Sequence, residues 1–444
     1  MTMPSTLPST LPAAAQYSVP WNGGTQTLAI SRERVRAELR YHDYPALPDP
    51  AAAIVRALES PIGAPPLRSL ARAGTKVAVA VGDRMTDWML GARGKLGLAL
   101  LDYLNGLGVR DEDVPVIYAC GMHARGHAPE RMGADLLGRA RFIAHDATDD
   151  SQLKFVGNTS RGTPVMVNRA MADADVRIGF GEVSPVGPAG WCGGGKIILP
   201  GVAGRDTIEH NHRMVISPFV RLGAIDRNPV RLDIEEAAAL AGLQLKVDVL
   251  VNSSEEIVAV YAGDFRLEWR SAIAMAKDIW TTPMEPTDIA VLYPGETRER
   301  HLANPIYLTI PIGDAMTRPG GAIILTLSAA GGWSPWERDE HGPSAEMFAL
   351  SSVEIARRMV RAQGNVRSLH IAYMAKVIAE RKPVYVHCDG FTAAEARSLG
   401  FASAGNSLDD LIAQASARTG GRDASISVGI PRGIQWRMMP RVDD

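Results

Sequence analysis

Short hydrophobic runs alternate with helical patterns along most of the chain. Residues 76–81 (KVAVAV) and 114–119 (VPVIYA) are apolar and β-branched, as in strands covered on both faces. Residues 94–107 place Leu at helical spacing and end near a glycine. Another helix is predicted to begin at Pro129, because proline is favoured in the first turn. This alternation predicts a parallel sheet covered by helices.

The alternation of strands and helices continues along the chain and resumes after residue 287, which predicts two domains. We expect an α/β fold in which each domain has a mostly parallel sheet flanked by helices, with the active site in the cleft between them. The predicted division is a flexible tail at 1–23, a catalytic and cofactor domain at 24–283 and a smaller domain at 284–444. Further strands are predicted at 141–145, 164–167, 176–180, 288–292, 322–327, 383–387 and 425–428, with a helix at 268–280.

Composition narrows the class of protein. The 444 residues are 46% hydrophobic and carry 47 Lys and Arg against 49 Asp and Glu, a net charge of −2. This balance excludes a disordered chain and argues against nucleic acid or an anionic membrane as the partner. The 3 cysteines are far apart, and no apolar run approaches the roughly 20 residues that a membrane helix needs. We therefore expect a cytoplasmic protein.

Residues 181–206 (GEVSPVGPAGWCGGGKIILPGVAGRD) are too rich in Gly and Pro for regular structure. A long loop in a compact domain is usually functional, which predicts an active-site loop. Within it, residues 190–196 match GxxxxGK, but Ile197 replaces the Ser or Thr that would bind Mg²⁺. A triphosphate-binding loop is therefore disfavoured. Lys196, which follows Gly193, Gly194 and Gly195, can bond covalently to a carbonyl or thiocarbonyl carbon if it is desolvated.

Two further groups follow predicted strands, at the edge where ligands bind in open α/β sheets. Asp83 can accept bonds from a ribose and Arg84 can bind an anion, although a polar turn is an equally good interpretation. His123 is suited to proton transfer near neutral pH. His127, four residues later, would pair with it on a metal only in a helix, whereas Gly126 predicts a loop and a surface histidine.

A last pair of histidines lies in a helical pattern after the loop. His210 and His212 are two residues apart and so point to different sides of a helix. At most one of them faces the same crevice as Lys196. A metal ligand and a structural histidine are both open interpretations.

Taken together, these segments resemble the lactate racemase family. The resemblance rests on residues 160–169 (SRGTPVMVNR), on 189–205 (from AGW to LPGVAGR) and on Asn211-His212, with His212 sixteen residues after Lys196. It implies a nickel-pincer nucleotide, a pyridinium-3,5-bisthiocarboxylic acid mononucleotide that carries nickel. It also implies that Lys196 tethers this cofactor, with Asp83, Arg84, Gly193, Gly194 and Gly195 around it. His212 would ligate nickel, and His123 would be the catalytic histidine.

The resemblance further implies a hydride-transfer racemase or epimerase of a 2-hydroxy acid, supplied with cofactor by maturation enzymes. Three departures modify this expectation. Val186 stands where the family has a second catalytic histidine, the Asp-x-Thr-Arg motif is altered around Arg84, and residues 304–310 are apolar where the family has a substrate-binding lysine. We therefore expect a substrate larger or less polar than lactate. Candidates for the missing contacts are Arg125, His127, Tyr307 and Glu182.

Two alternatives remain open. With one histidine base, the same cofactor would support a one-sided redox or elimination reaction. A protein that binds a hydroxy acid or nucleotide without turnover would also retain the cofactor site while losing the second histidine.

Overall fold

The structure is a computed structural model that describes residues 14–83, 96–123, 134–296, 298–303, 305–333, 343–432 and 437–442. The predictions for Arg84, Arg125, His127 and the helix start at Pro129 lie outside these residues. Within the described ranges, every helix is too short or too polar to cross a bilayer.

Strands and helices alternate along the chain as the sequence pattern predicts. The strands are β1 (Ala14–Trp21), β2 (Gly24–Ser31), β3 (Val35–Glu38), β4 (Val77–Gly82), β5 (Val116–Ala119), β6 (Phe142–Ala144), β7 (Leu153–Asn158), β8 (Pro164–Asn168), β9 (Val176–Glu182), β10 (Pro185–Val186), β11 (Gly190–Trp191), β12 (Leu245–Val251), β13 (Ile257–Gly263), β14 (Thr281–Thr282), β15 (Thr287–Leu292), β16 (Thr317–Thr326), β17 (Val384–His387), β18 (Ser403–Gly405), β19 (Ile426–Gly429) and β20 (Met439–Pro440). The described helices are Pro50–Glu59, Leu67–Leu70, Leu96–Gly106, Ala134–Arg139, Arg169–Ala172, Arg205–Arg213, Pro229–Leu240, Leu267–Trp280, Thr309–Met316, Ala345–Ala349, Ser352–Val360, Val366–Ala379, Ala393–Ser398 and Leu408–Arg418.

The first sheet has six strands in the order β13-β12-β9-β4-β5-β6, and only β13 runs antiparallel to its neighbour. Its central strands are covered on both faces, so that Val79, Ile178 and Val247 are buried. Parallel strands are buried in this way because crossover helices cover both faces of the sheet. The carboxyl ends of β4, β5 and β9 meet at one edge, where the loop that follows β9 begins.

The second sheet also has six strands, in the order β18-β17-β16-β15-β19-β3, and all of them are parallel. These two helix-flanked sheets confirm the predicted α/β class. Strand β8, predicted at 164–167, instead pairs antiparallel with β7 in a separate hairpin.

The N-terminal segment differs from the expected flexible tail over its described part. Residues 14–21 form β1, which pairs with β2 across the two-residue turn Asn22-Gly23. Both turn residues have positive φ, 47° and 80°, as in the hairpin turn that favours Asn-Gly. The hairpin packs on the second sheet, where Leu28 and Ile30 lie in one core with Tyr293. Strand β3 then completes that sheet beside β19, while a chain division near residue 283 remains a prediction.

Candidate active site

The long loop predicted at 181–206 is irregular but ordered by packing. Strands β10 and β11 pair across a tight turn, and Gly190 has a φ of 73°. A Cβ atom on Gly190 would lie 2.1 Å from the carbonyl oxygen of Ala224. Only glycine fits there, because both the backbone conformation and the space exclude a side chain.

A buried arginine stabilises the loop through hydrogen bonds to its backbone carbonyls. Arg231, on the helix Pro229–Leu240, has 0% of its surface exposed and stacks its guanidinium 4.1 Å from the Trp269 ring. It donates hydrogen bonds of 3.3 Å to the carbonyls of Ala189 and Gly193, and another to that of Trp191. One planar donor group therefore fixes three consecutive parts of the loop.

The three glycines before Lys196 face the protein interior. Cβ atoms on Gly193, Gly194 and Gly195 would lie 2.8 Å from Asp248, 3.0 Å from Trp269 and 3.0 Å from Ala238. Packing thus explains why these positions are glycine. The turn ends in the short 3-10 helix Gly194–Ile197, which differs from the strand-to-helix turn of a triphosphate-binding loop.

A buried charged cluster supports the same turn. The Gly194 N–H donates to Asp248 at 2.7 Å, and the Lys246 ammonium contacts the other oxygen of that carboxylate at 2.5 Å. Both charged side chains are wholly buried. Burial, together with the negative charge of Asp248, raises the pKa of Glu268 well above its ordinary value. The protonated form of Glu268 is therefore favoured beneath the loop.

Lys196 projects from this turn with its amine uncommitted. Among the described residues it has no hydrogen-bond or ion-pair partner. Burial lowers the pKa of Lys196, and the charge of Arg231 acts in the same direction, whereas Cys192 and Asp83 oppose the shift. A lowered pKa increases the fraction of neutral amine, which is the nucleophilic form.

His212 lies on the His212 helix (Arg205–Arg213), and its Nδ1 atom is shielded from solvent without a hydrogen-bond partner. Burial and the nearby His370, Lys196 and Arg367 lower the pKa of His212 well below its ordinary value. A neutral imidazole with an unpaired nitrogen is the form that binds metals. His210 turns away, since its Nδ1 contacts the carbonyl of Asp206 at 2.7 Å.

Two residues that carry the family resemblance, Thr163 and Asn211, help to fix this helix in place. Asp233, wholly buried, accepts hydrogen bonds from Thr159 at 2.6 Å, from Thr163 at 3.0 Å and from Asn211 at 2.9 Å. Asn211 directly precedes His212. The motif therefore positions the histidine through a buried carboxylate.

The predicted catalytic histidine lies at the carboxyl ends of two neighbouring strands. Asp83 follows β4 and His123 follows β5, which are paired. The Nδ1 atom of His123 lies 2.5 Å from Asp83 Oδ2, and 54% of the His123 side chain is exposed. Asp83, predicted to contact a ribose, thus orients an accessible imidazole, as a carboxylate does beside a catalytic base.

His370 is a site residue that the sequence did not reveal. It lies on the His370 helix (Val366–Ala379) of the second sheet's unit and is 4% exposed. Its ring is perpendicular to that of His212, with ring centroids 4.8 Å apart. Burial, reinforced by the charge of Arg367, lowers the pKa of His370 to about 3. A histidine in a helix that is buried on most sides gives no sequence signal beyond a core position.

Three other residues singled out in the sequence, Val186, Tyr307 and Glu182, lie in or beside the 181–206 loop. Val186 is buried in the β10–β11 turn, where it pairs with Gly190. The backbone carbonyl of Tyr307 lies against Gly187, beside Val186. Glu182 accepts a hydrogen bond from Ser184 at 3.0 Å and lies 3.7 Å from Arg437. The structure therefore brings Tyr307 to the loop, while Glu182 has structural partners.

Comparison with known proteins shows what this chain is similar to. Residues 21–223 match the model of the lactate racemase N-terminal domain. The lactate racemase of Thermoanaerobacterium thermosaccharolyticum is 28% identical over 354 residues, which cover 76% of this chain and 81% of that protein. The N-terminal part of this chain, residues 21–223, therefore matches the lactate racemase family. The lactate racemase of Lactiplantibacillus plantarum is 26% identical over 309 residues, 68% of this chain and 69% of that protein.

Solved structures confirm the fold of this chain. The lactate racemase apoprotein of T. thermosaccharolyticum superposes with a TM-score of 0.81 at 23% identity, covering 96% of this chain and 100% of that one. A Thermotoga maritima protein superposes with a TM-score of 0.59 at 16% identity, covering 90% and 100%. The resemblance found in the sequence is confirmed, since this chain is similar to lactate racemases, which are isomerases.

Proposed function

We propose that the protein racemises or epimerises a 2-hydroxy acid by hydride transfer to a nickel-pincer nucleotide tethered at Lys196. The observation that carries the proposal is the convergence of Lys196, His212 and His123 from three separate elements. The charge of Lys196 reaches His212, and that of Asp83, the partner of His123, reaches Lys196. The three side chains therefore belong to one electrostatic environment.

The side chains present fit such a group. Lys196 offers an amine without a described partner, and its lowered pKa favours attack on an electrophilic carbon. His212 offers an imidazole with a buried, unpaired Nδ1, and imidazole suits nickel. When bound, the nickel-pincer nucleotide supplies an acceptor for the hydride on the substrate Cα atom.

Proton transfer and the positioning of the binding groups are carried out by residues of the chain. His123 removes the proton of the substrate hydroxyl as hydride leaves Cα, and later returns it. Asp83 holds the ring of His123 in one orientation. The loop fixed by Arg231 holds Lys196, and the carboxylate of Asp233 holds the His212 helix. The binding groups are thereby set before substrate arrives.

The experiment that tests the proposal is intact-mass and nickel analysis of protein co-produced with pincer-nucleotide maturation enzymes. We expect about one nickel per chain and a mass increment that maps to Lys196. Lys196→Ala should lose the increment and all activity. Lys154→Ala, which removes an exposed lysine paired with Asp173, is the matched control and should retain both. A full increment in Lys196→Ala would contradict the tether.

The substrate is proposed to be larger or less polar than lactate. Val186 is an aliphatic side chain at the place of the family's second histidine, and Ile306 and Ile310, in the stretch where the family has a substrate-binding lysine, are buried apolar residues. Rates on straight-chain 2-hydroxy acids of increasing length should rise beyond lactate. A sharp optimum at lactate would contradict this part of the proposal.

Val186 also favours a second candidate, the one-sided reaction. A buried aliphatic side chain cannot move a proton on the second face of the substrate. Each enantiomer would be incubated separately after deuteration at Cα. Loss of label without inversion would support the one-sided reaction, whereas inversion would support racemisation.

A further inference from the structure

Two histidine rings meet where the His212 helix packs against the His370 helix. His370 is 4% exposed, whereas His212 is half-buried. The Nδ1 atom of each ring is shielded from solvent and has no hydrogen-bond partner. Burial lowers the pKa of both rings, which the carbonyls of Ile208 and Val366, one turn earlier in each helix, only partly oppose. Neither carbonyl completes a hydrogen bond to Nδ1.

Buried polar atoms without partners are uncommon in folded proteins, because each has lost its hydrogen bonds to water. His145 shows the usual arrangement, since its ring nitrogens lie 2.9 Å from the Ala203 carbonyl oxygen and 3.3 Å from the Asn168 side-chain nitrogen. Within the described part of the chain, Nδ1 of His212 and Nδ1 of His370 have no such contact. Unpaired nitrogens of this kind are accounted for by an ion or a water that they bind.

The spacing of the two rings matches a shared metal ion. Their centroids are 4.8 Å apart and their planes are nearly perpendicular, at 88°. Two imidazoles on one metal place their centroids roughly 4.5–5.2 Å apart, since metal–nitrogen bonds are about 2.0–2.1 Å and adjacent bonds meet at roughly 90–110°. Edge-to-face packing of two rings gives similar spacings and is the rival explanation.

We propose that His212 and His370 bind one divalent transition-metal ion between them, so that His370 is a further protein ligand for nickel. This inference deepens the proposed function and rests on it for the role of His212. Imidazole suits Ni²⁺, Cu²⁺ and Zn²⁺, whereas Mg²⁺ prefers oxygen ligands. The second ligand comes from the part of the chain that forms the second sheet, so both parts are needed to complete the metal site.

The protein fills only part of the coordination shell of this ion. Among the residues that the structure describes, no group of three or more His, Cys, Asp and Glu side chains is arranged to hold a metal. Water or the proposed cofactor therefore takes the other positions. The positive charge of Arg367 acts on both rings and opposes a cation there. We therefore expect the ion to bind more weakly than at a site with carboxylate ligands.

The metal alone tests the proposal on untagged apoprotein, which carries no tethered group. Calorimetry with Ni²⁺ should show one ion per chain in wild type. His370→Phe keeps a flat ring without a ligand nitrogen, and its Ni²⁺ affinity should fall at least about tenfold. His212→Phe should lose as much. His210→Phe, on the same helix as His212, is the matched control and should bind Ni²⁺ as wild type does, because His210 contacts the Asp206 carbonyl instead.

A spectroscopic measurement counts the ligands directly. Cu²⁺ bound in place of Ni²⁺ should show two nitrogens in the hyperfine pattern of its electron paramagnetic resonance spectrum in wild type, and one in His370→Phe. Mg²⁺ should not bind. Thermal unfolding of metal-free His370→Phe and His370→Gln checks that these variants fold. Ni²⁺ should raise the unfolding midpoint of wild type more than that of either variant.

Two results would overturn the assignment. The first is a Ni²⁺ affinity of His370→Phe within about twofold of wild type, which would make His370 a packing partner only. The second is a single bound nitrogen, or no Ni²⁺ binding, in wild type, and this test needs no variant to fold. The proposed function fails separately, because a missing Lys196 mass increment after co-production with maturation enzymes would leave Ni²⁺ binding by the apoprotein unchanged.

Discussion

At the scale of single residues, the site depends on side chains whose partners lie far away in the sequence. His123, Lys196 and His212 could be predicted because their neighbours in the sequence carry the family motif. His370 could not, since its contact with His212 arises from packing of the His370 helix against the His212 helix. The pairing of Asp83 with His123 was likewise hidden, because only the sheet places β4 beside β5.

The Asp83–His123 pair gives a first prediction. Asp83→Asn keeps the size of the side chain but removes the carboxylate that orients the His123 ring. We expect kcat to fall by about 10²-fold or more, with KM and nickel loading nearly unchanged. Steady-state kinetics on the best 2-hydroxy acid checks this, with the exposed Asp102→Asn as control. A kcat within twofold of wild type would show that His123 acts without Asp83.

Glu268 gives a prediction for pH. Its pKa is raised in the folded protein, so between its ordinary value and the folded value the native state holds a proton that the unfolded chain releases. The free energy of unfolding therefore decreases as pH rises through that window. Glu268→Gln should reduce this loss and be at least as stable as wild type at pH 8. Urea unfolding from pH 5 to 8 measures it, with the exposed Glu112→Gln as control. Destabilisation of more than about 1 kcal/mol at pH 8 would indicate that ionised Glu268 is needed.

At the scale of elements, the sequence predicts a strand correctly where a buried strand is also a continuous apolar run. Strands β4, β5 and β9 are continuous apolar runs in the middle of a sheet, and all three were predicted within two residues. Strand β12 was missed because Lys246 and Asp248 interrupt its apolar pattern, and they are buried only because they pair with each other. The N-terminal hairpin was missed although Asn22-Gly23 is a recognisable turn signal.

The β10–β11 turn gives a prediction about one glycine. Gly190→Ala adds a Cβ atom that overlaps the Ala224 carbonyl at a positive φ, so we expect a loss of about 2–5 kcal/mol in unfolding free energy. Gly74→Ala is the matched control, because Gly74 has a φ of 83° with no atom within 4 Å of the added Cβ. It should cost only about 1 kcal/mol. Equal losses in urea unfolding would show that the contact with Ala224 relaxes at little cost.

At the scale of the whole molecule, the second sheet is formed by two parts of the chain that are distant in sequence. Strand β3 belongs to it, the first sheet follows along the chain, and β15 to β19 then complete the second sheet. Strand β3 pairs with β19, and the hairpin before it covers part of the second sheet. The hydroxyl of Tyr293 donates to the Pro20 carbonyl at 2.8 Å, and the indole of Trp21 donates to Asp389 at 2.6 Å. The second sheet is therefore incomplete without the N-terminal segment.

This arrangement predicts the behaviour of a fragment. Residues 284–444 alone would leave the edge of β19 and the apolar face around Tyr293 uncovered. We expect that fragment to aggregate and to lack a cooperative thermal transition, whereas a peptide of residues 14–40 should restore both solubility and cooperativity. Gel filtration and circular dichroism measure this. A monomeric fragment with a sharp transition on its own would contradict the prediction.

The pairing of β3 with β19 also has a consequence for biosynthesis. The ribosome releases residues 35–38 long before it makes residues 426–429, although these strands are neighbours in the finished sheet. The central part of the chain can fold during translation, as N-terminal regions generally do. During that time the β1–β2 hairpin has no second sheet to pack against. Closure of the second sheet, and with it the packing that surrounds His370, is therefore expected as a late event that follows synthesis of β19.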